Sequence, residues 1–207
     1  MKEHAVIARF PTRSIVLILV LTLAAAPVLA KERTHTVEID GHEIVVKIIE
    51  HFEDVATIRA ECVIPRPQRV VWQVLTDYEN LENIVPALKN SSVIGHEDGV
   101  TILQQDGHAG LWFFKRGFTV KLRVREVPMA YIGFEAFEGD FQRFKGSWQV
   151  AQREAGTWIA YSVEIKPDFY APKWAQRRVA RSLTADTIDG VIRRCLSRES
   201  PTDPDPE

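Results

Sequence analysis

From Val55 to Ile64 apolar and polar residues alternate, with Ala56, Ile58, Ala60, Cys62 and Ile64 on one face and Thr57, Arg59 and Glu61 on the other. Successive strand residues point to opposite faces, so this run predicts a β-strand buried on one side. Two of the inward residues are alanines, which leaves room beside the strand for another element or a ligand. Upstream, the strand-like runs Thr34–Asp40 and Glu43–His51 flank Gly41-His42 and predict an N-terminal hairpin. Downstream, Pro65-Arg66-Pro67 stops the strand, and Val70, Val71, Val74 and Leu75 recur at helical spacing behind a proline suited to a first turn. Thr76 or Asp77 ends that short helix and caps a second one through Leu81 and Ile84, before Pro86 breaks the pattern.

Strands alone follow, punctuated by turn signals at Asp98-Gly99, Arg116-Gly117, Gly139-Asp140 and Ala155-Gly156. Phe118, Val120, Leu122 and Val124 alternate with Thr119, Lys121, Arg123 and Arg125, as an antiparallel sheet covered on one side requires. Thr157, Ile159, Tyr161, Val163 and Ile165 repeat the device. The chain then predicts one long helix from Pro172 to Ser197. Its apolar stripe combines the row Val179, Leu183, Thr187, Val191, Cys195 with the row Ala180, Thr184, Ile188, Ile192, wide enough to lie across a sheet. Gly190 costs about 1 kcal/mol there relative to alanine, which close packing would justify. The acidic, proline-spaced residues 199–207 predict a disordered tail.

The start of the chain is different. Lys2, Arg9 and Arg13 precede an apolar stretch beginning at Ile15, and Val28-Leu29-Ala30 offers small residues where a signal peptidase reads. Residues 1–30 are therefore expected to be an export signal cleaved near Ala30, leaving a periplasmic or secreted protein. Ile15 to Ala30 is 16 residues with a proline inside, short of the roughly 20 that span a bilayer, so an N-terminal anchor is the weaker alternative. Cleavage would leave 177 residues, one domain's worth: residues 31–54 as a hairpin extension and 55–198 as the folded domain. The formal net charge is −2 for the whole chain and −4 without the signal, which disfavours nucleic acid as a partner. In an oxidising compartment Cys62 and Cys195 are candidates for a disulfide, the alternative being two buried small hydrophobes. No oligomeric state follows from the sequence.

One long helix laid over a curved antiparallel sheet, with two short helices after the first core strand, is a distinctive order of elements. Taken with Pro67-Gln68-Arg69-Val70-Val71-Trp72-Gln73-Val74-Leu75-Thr76-Asp77-Tyr78, then Val85-Pro86, Ser91-Ser92-Val93-Ile94, Gly139-Asp140-Phe141 and Gly146-Ser147-Trp148, it resembles the polyketide cyclase/dehydrase and coenzyme-Q-binding branch of the START-like, helix-grip superfamily. The resemblance runs from Val55 to Leu196. It implies an α+β helix-grip fold, a curved antiparallel sheet wrapped around a long C-terminal helix, with a hydrophobic cavity between them. It does not by itself imply catalysis.

Such a cavity would hold a lipid-like, isoprenoid or aromatic molecule. Candidate lining residues are Ala60, Phe113, Val120, Leu122, Phe134, Trp148, Tyr161, Leu183 and Thr187, with Tyr78, Phe169 and Tyr170 at the mouth. Two alternatives stay open: a cyclase or dehydratase acting on a polyketide-like substrate, and a structural or partner-binding domain whose interior is filled. An enzyme needs an acid or base; Asp77, His108, Glu135 and Tyr161 are the candidates, though Asp77 also suits a cap, His108 a loop and Glu135 a solvated strand position. Spacings for a metal site, a phosphate-binding loop or a nucleophile elbow are missing from the sequence, so no metal or cofactor is expected. Lys173, Arg177, Arg178 and Arg181 make a basic start to the last helix. This is either a solvated face or a peripheral contact with anionic membrane.

Overall fold

The computed structural model describes residues 31–39, 42–52, 55–109, 116–170 and 172–198. In chain order these form β1 (Lys31–Ile39), β2 (His42–Phe52), β3 (Ala56–Ile64), helix α1 (Gln68–Leu75), a 3₁₀ segment (Tyr78–Asn83), β4 (Leu88–Glu97), β5 (Val100–Ala109), β6 (Arg116–Val127), β7 (Tyr131–Gly139), β8 (Phe141–Arg153), β9 (Gly156–Pro167) and helix α2 (Lys173–Ser197). All nine strands join one antiparallel sheet in the order β1-β2-β3-β9-β8-β7-β6-β5-β4. Only β3 and β9 are neighbours without being consecutive, because the two short helical elements carry the chain from β3 to the opposite edge. The fold is the α+β helix-grip arrangement.

Register shifts in the β4–β5, β6–β7 and β8–β9 pairings bend the sheet. Its concave face carries the alternating apolar residues: Ala56, Ile58, Ala60, Cys62 and Ile64 of β3 are all buried, as are Val120, Leu122 and Val124 of β6. Helix α2 packs on β3 more closely than on any other strand and also meets α1, so one side of the concavity is closed and the strands further along the sheet arch away from the helix. Against the 3₁₀ segment the approach is backbone to backbone: a Cβ at Gly190 would overlap the carbonyl oxygen of Ile84.

The C-terminal end of α2 is tied down by a cation from another part of the chain. Arg66, in the turn after β3, donates from Nε to the carbonyl of Cys195 at 3.2 Å and from Nη2 to that of Leu196 at 2.7 Å. Its own carbonyl accepts from the buried Thr157 hydroxyl at 2.7 Å. A guanidinium on the last carbonyls satisfies acceptors that lack helical partners and complements the helix dipole. Arg66→Ala is therefore expected to lower stability by about 1–2 kcal/mol, and Arg66→Lys by less, read as a shift of the denaturant midpoint at constant slope.

Two turn readings are revised. Arg116 and Gly117 lie within β6, paired with Ala109 and His108 of β5, and His108 is an exposed strand residue rather than a loop residue. The connection between these strands falls at 110–115, outside the described residues, as do the expected signal, the acidic tail and Gly41 of the hairpin turn. Asp98-Gly99 does form the β4–β5 turn, with φ of 49° and 75°.

Candidate functional site

Where the sheet arches away from α2, the structure encloses a cavity of about 670 Å³, within the range that holds small-molecule ligands. Its floor is the concave face of β5 to β9, its roof is one face of α2 from Trp174 to Val191, and its side wall comes from α1 and the 3₁₀ segment through Val74, Leu75, Tyr78, Leu81 and Ile84. Among the lining residues, the exposed ones are Arg116, Gly117, Tyr170, Pro172 and Trp174. They share one end, which is the mouth.

A file of aromatic rings runs from the deep end toward that mouth. Trp148 and Tyr161 lie 4.4 Å apart, Tyr161 and Phe134 6.3 Å, Phe134 and Phe144 5.6 Å, Phe144 and Phe141 5.1 Å, and Phe141 and Phe118 5.4 Å. The file exists because these residues sit at inward positions on adjacent antiparallel strands, with Tyr161 opposite Trp148 and Phe144 opposite Ile165. Small residues keep the rings close: a Cβ at Gly146 would fall 2.5 Å from the Phe134 ring. At the mouth, the Arg116 guanidinium lies 4.5 Å above the centre of the Phe169 ring.

Polar groups in this wall are few. Gln105 is buried and donates from Nε2 to the Ser91 hydroxyl at 3.3 Å. Tyr161, Thr184 and Thr187, all buried residues of the lining, each bring a hydroxyl to this wall. Burial raises the Tyr161 pKa well above the ordinary tyrosine value, so its hydroxyl stays protonated at neutral pH. Tyr78 is also shifted upward, by burial first and then by its hydrogen bond to Glu126 Oε1 at 2.6 Å. The wall thus presents neutral hydroxyl and amide groups on a mostly apolar surface.

Of the residues the sequence puts forward as lining, the structure brings Tyr78, Leu122, Phe134, Trp148, Tyr161, Phe169, Tyr170, Leu183 and Thr187 to the cavity. Ala60 is not there: it is fully buried on β3, the strand that α2 covers, so the room left by its small side chain is taken by the helix. Val120 shares the inward face of β6 but has no surface on the cavity; the wall at its end is made by the Phe118 and Phe141 rings. Phe113 lies outside the described residues.

Three of the four acid–base candidates lie off the cavity. Asp77 precedes the 3₁₀ segment, but its carboxylate makes no capping bond to the backbone. It accepts from Asn80 Nδ2 at 2.7 Å and from Arg198 Nη2 at 2.7 Å, joining this turn to the end of α2. Glu135 is exposed on β7, across from Arg123 and Lys145. His108 is exposed on β5 and is not among the lining residues. Of the four, Tyr161 alone reaches the cavity. Cys62 and Cys195 are both buried, on the facing β3 and α2, and are unbridged thiols. Sequence reasoning missed Gln105 and Thr184 as lining. The signal was available: a polar residue two positions after buried Leu103, and a threonine in the apolar stripe of α2.

Among solved structures, the STAR-related lipid transfer protein of Xanthomonas axonopodis is 15% identical, with a TM-score of 0.59 over 79% of this chain and 99% of that one. The Zhui aromatase/cyclase of a Streptomyces species is 13% identical, with a TM-score of 0.60 over 69% and 94%. A Thermus thermophilus protein is 19% identical, with a TM-score of 0.56 over 68% and 97%. At these identities the likeness is one of fold. Comparison with curated proteins finds no match. The family described as polyketide cyclase/dehydrase and lipid transport matches residues 64–191, from the end of β3 to the last third of α2 and so across every wall of the cavity; the chain belongs to that family.

Proposed function

We propose that this protein binds a hydrophobic small molecule, lipid-like, isoprenoid or aromatic, in the chamber between α2 and the sheet. The observation that carries the reading is the cavity itself: about 670 Å³ lined by an unbroken file of rings and roofed by the apolar face of a helix. Each 100 Å² of ligand apolar surface buried there contributes about 2.5 kcal/mol of transfer free energy. The Tyr161, Thr184 and Thr187 hydroxyls set orientation for one or two polar atoms. Carriage of lipid by the Xanthomonas relative and the family description support a binding or carrier role. Of the four acid–base candidates, Tyr161 alone is placed to serve a cyclase or dehydratase role, since Asp77, Glu135 and His108 lie off the cavity.

The basic and apolar pattern of residues 1–30 supports export, with the working protein beginning at Lys31 in the periplasm or outside the cell. The basic start of α2, at Lys173, Arg177, Arg178 and Arg181, supports contact with anionic membrane.

Binding is tested by incubating the purified protein with a long-chain fatty acid and with a polycyclic aromatic probe, following complex formation by native mass spectrometry and by tryptophan fluorescence. One-to-one uptake of either is expected. Thr184→Trp, which fills the chamber from its roof, should weaken uptake by about tenfold or more while the variant stays folded by circular dichroism. Equal uptake by both proteins would remove the chamber as the binding site.

A further inference from the structure

We propose that the mouth of the cavity docks onto an anionic lipid bilayer, so that an apolar ligand passes between membrane and chamber without crossing water. The proposal rests on the ligand-binding reading above and adds the surface from which the ligand is collected.

Six large hydrophobic residues are exposed among the described residues: Ile94, Val127, Tyr131, Phe137, Tyr170 and Trp174. Tyr170 at 92% and Trp174 at 58% are the most exposed of them. They are also the two of the six that line the cavity. Tyrosine and tryptophan combine an apolar ring with a polar tip and concentrate at the headgroup layer of membranes.

The start of α2 carries charge of one sign. Between Pro172 and Ala185 the helix carries Lys173, Arg177, Arg178 and Arg181 and no acidic residue, although the chain as a whole is net negative. Arg116 adds a fifth cation at the rim, over Phe169. Asp168 is the nearby carboxylate in sequence, and Gln142 Nε2 donates to it at 3.2 Å. The first turn of α2 has no acidic residue. The arrangement concentrates positive potential where the two exposed rings project. An anionic bilayer complements both features, giving the rings a headgroup layer and each Lys or Arg about 1 kcal/mol of attraction.

The test is co-sedimentation with phosphatidylcholine vesicles, with and without phosphatidylglycerol, using chains that share one N-terminus so that its apolar segment contributes equally. Wild type is expected to bind the anionic vesicles more tightly, in a salt-sensitive way. Arg177→Gln with Arg178→Gln should weaken that binding by about thirtyfold, while uptake of the aromatic probe from vesicle-free solution stays unchanged. Tyr170→Ser with Trp174→Ser should weaken binding to both kinds of vesicle. Equal binding to neutral and anionic vesicles, or variants that bind like wild type, would overturn the proposal. So would a concentration-dependent dimer lost in the Tyr170→Ser, Trp174→Ser protein, which would make a second copy the cover. Failure of probe uptake from solution by wild type would instead remove the ligand-binding reading.

Discussion

Gly190→Ala is expected to destabilise the protein by about 2 kcal/mol, although alanine is the better helix former by about 1 kcal/mol. Helix propensity and packing oppose each other at this position, and the contact geometry decides between them. A Cβ at residue 190 would overlap the carbonyl oxygen of Ile84 and come within 3.0 Å of its carbonyl carbon. Both partners are backbone, so no side chain can rotate out of the way; α2 or the end of the 3₁₀ segment has to move. Overpacking of this kind typically costs about 1–3 kcal/mol, occasionally more. Movement at Ile84 would also shift a wall of the cavity, since Leu81, Ile84 and Val85 all line it. The variant should therefore show a lower denaturant midpoint together with weaker probe uptake. A midpoint equal to or above wild type would mean that the helix does not approach Ile84 as described. Ser182→Ala, at an exposed position of the same helix, is the control in which propensity is expected to govern.

The same contact shows what was legible in the sequence. A glycine in the middle of a helical stripe is a local anomaly, so periodicity could flag Gly190 as a site of close packing but could not name Ile84. The strands of the concave face and the bounds of α2 follow from side-chain period alone, because alternation and 3.6-residue recurrence are local properties. What lies against an inward residue is not local. Ala56 and Ala60 are the same residue type on the same face of β3, yet Ala56 lines the cavity and Ala60 does not; the path of a helix more than a hundred residues later decides which. Val120 and Leu122 divide in the same way on β6. Arg116-Gly117 misleads for a related reason: glycine marks turns statistically, but here Gly117 pairs with His108 across the β5–β6 ladder. Asp77 has the residue type of a cap, and its carboxylate is instead claimed by Arg198, brought to it by the end of α2.

Stability is expected to fall steeply above pH 9, with Cys62 and Cys195 as the largest contributors. Burial pushes the Cys62 thiol from 9.0 up to about 12, helped by charge on Cys195, Asp189 and Glu61. Burial also pushes Cys195 up to about 12, against the opposing pull of Arg198 and Arg66. Below pH 9 both thiols are protonated in folded and unfolded chains alike, and their contribution is fully present. Between pH 9 and 12 the unfolded chain releases protons that the folded chain keeps, so stability falls by about 1.4 kcal/mol per pH unit for each thiol. Over that window the two together remove several kcal/mol, less than twice the single value because part of the Cys62 shift is the charge of Cys195. Tyr161 and Tyr78, both raised above the ordinary 10.0, add to the loss at the upper end. Against a total stability of about 5–15 kcal/mol for a domain, unfolding by about pH 11 is the expected result. Denaturant titrations at successive pH values measure the slope, which should shrink sharply between pH 9 and 10 in a Cys62→Ala, Cys195→Ala protein whatever that variant's stability at neutral pH. A slope equal in the two proteins would mean that the thiols are not the buried acids described. A flat profile that steepens on adding reductant would show a Cys62–Cys195 bond, because a disulfide has no proton to lose.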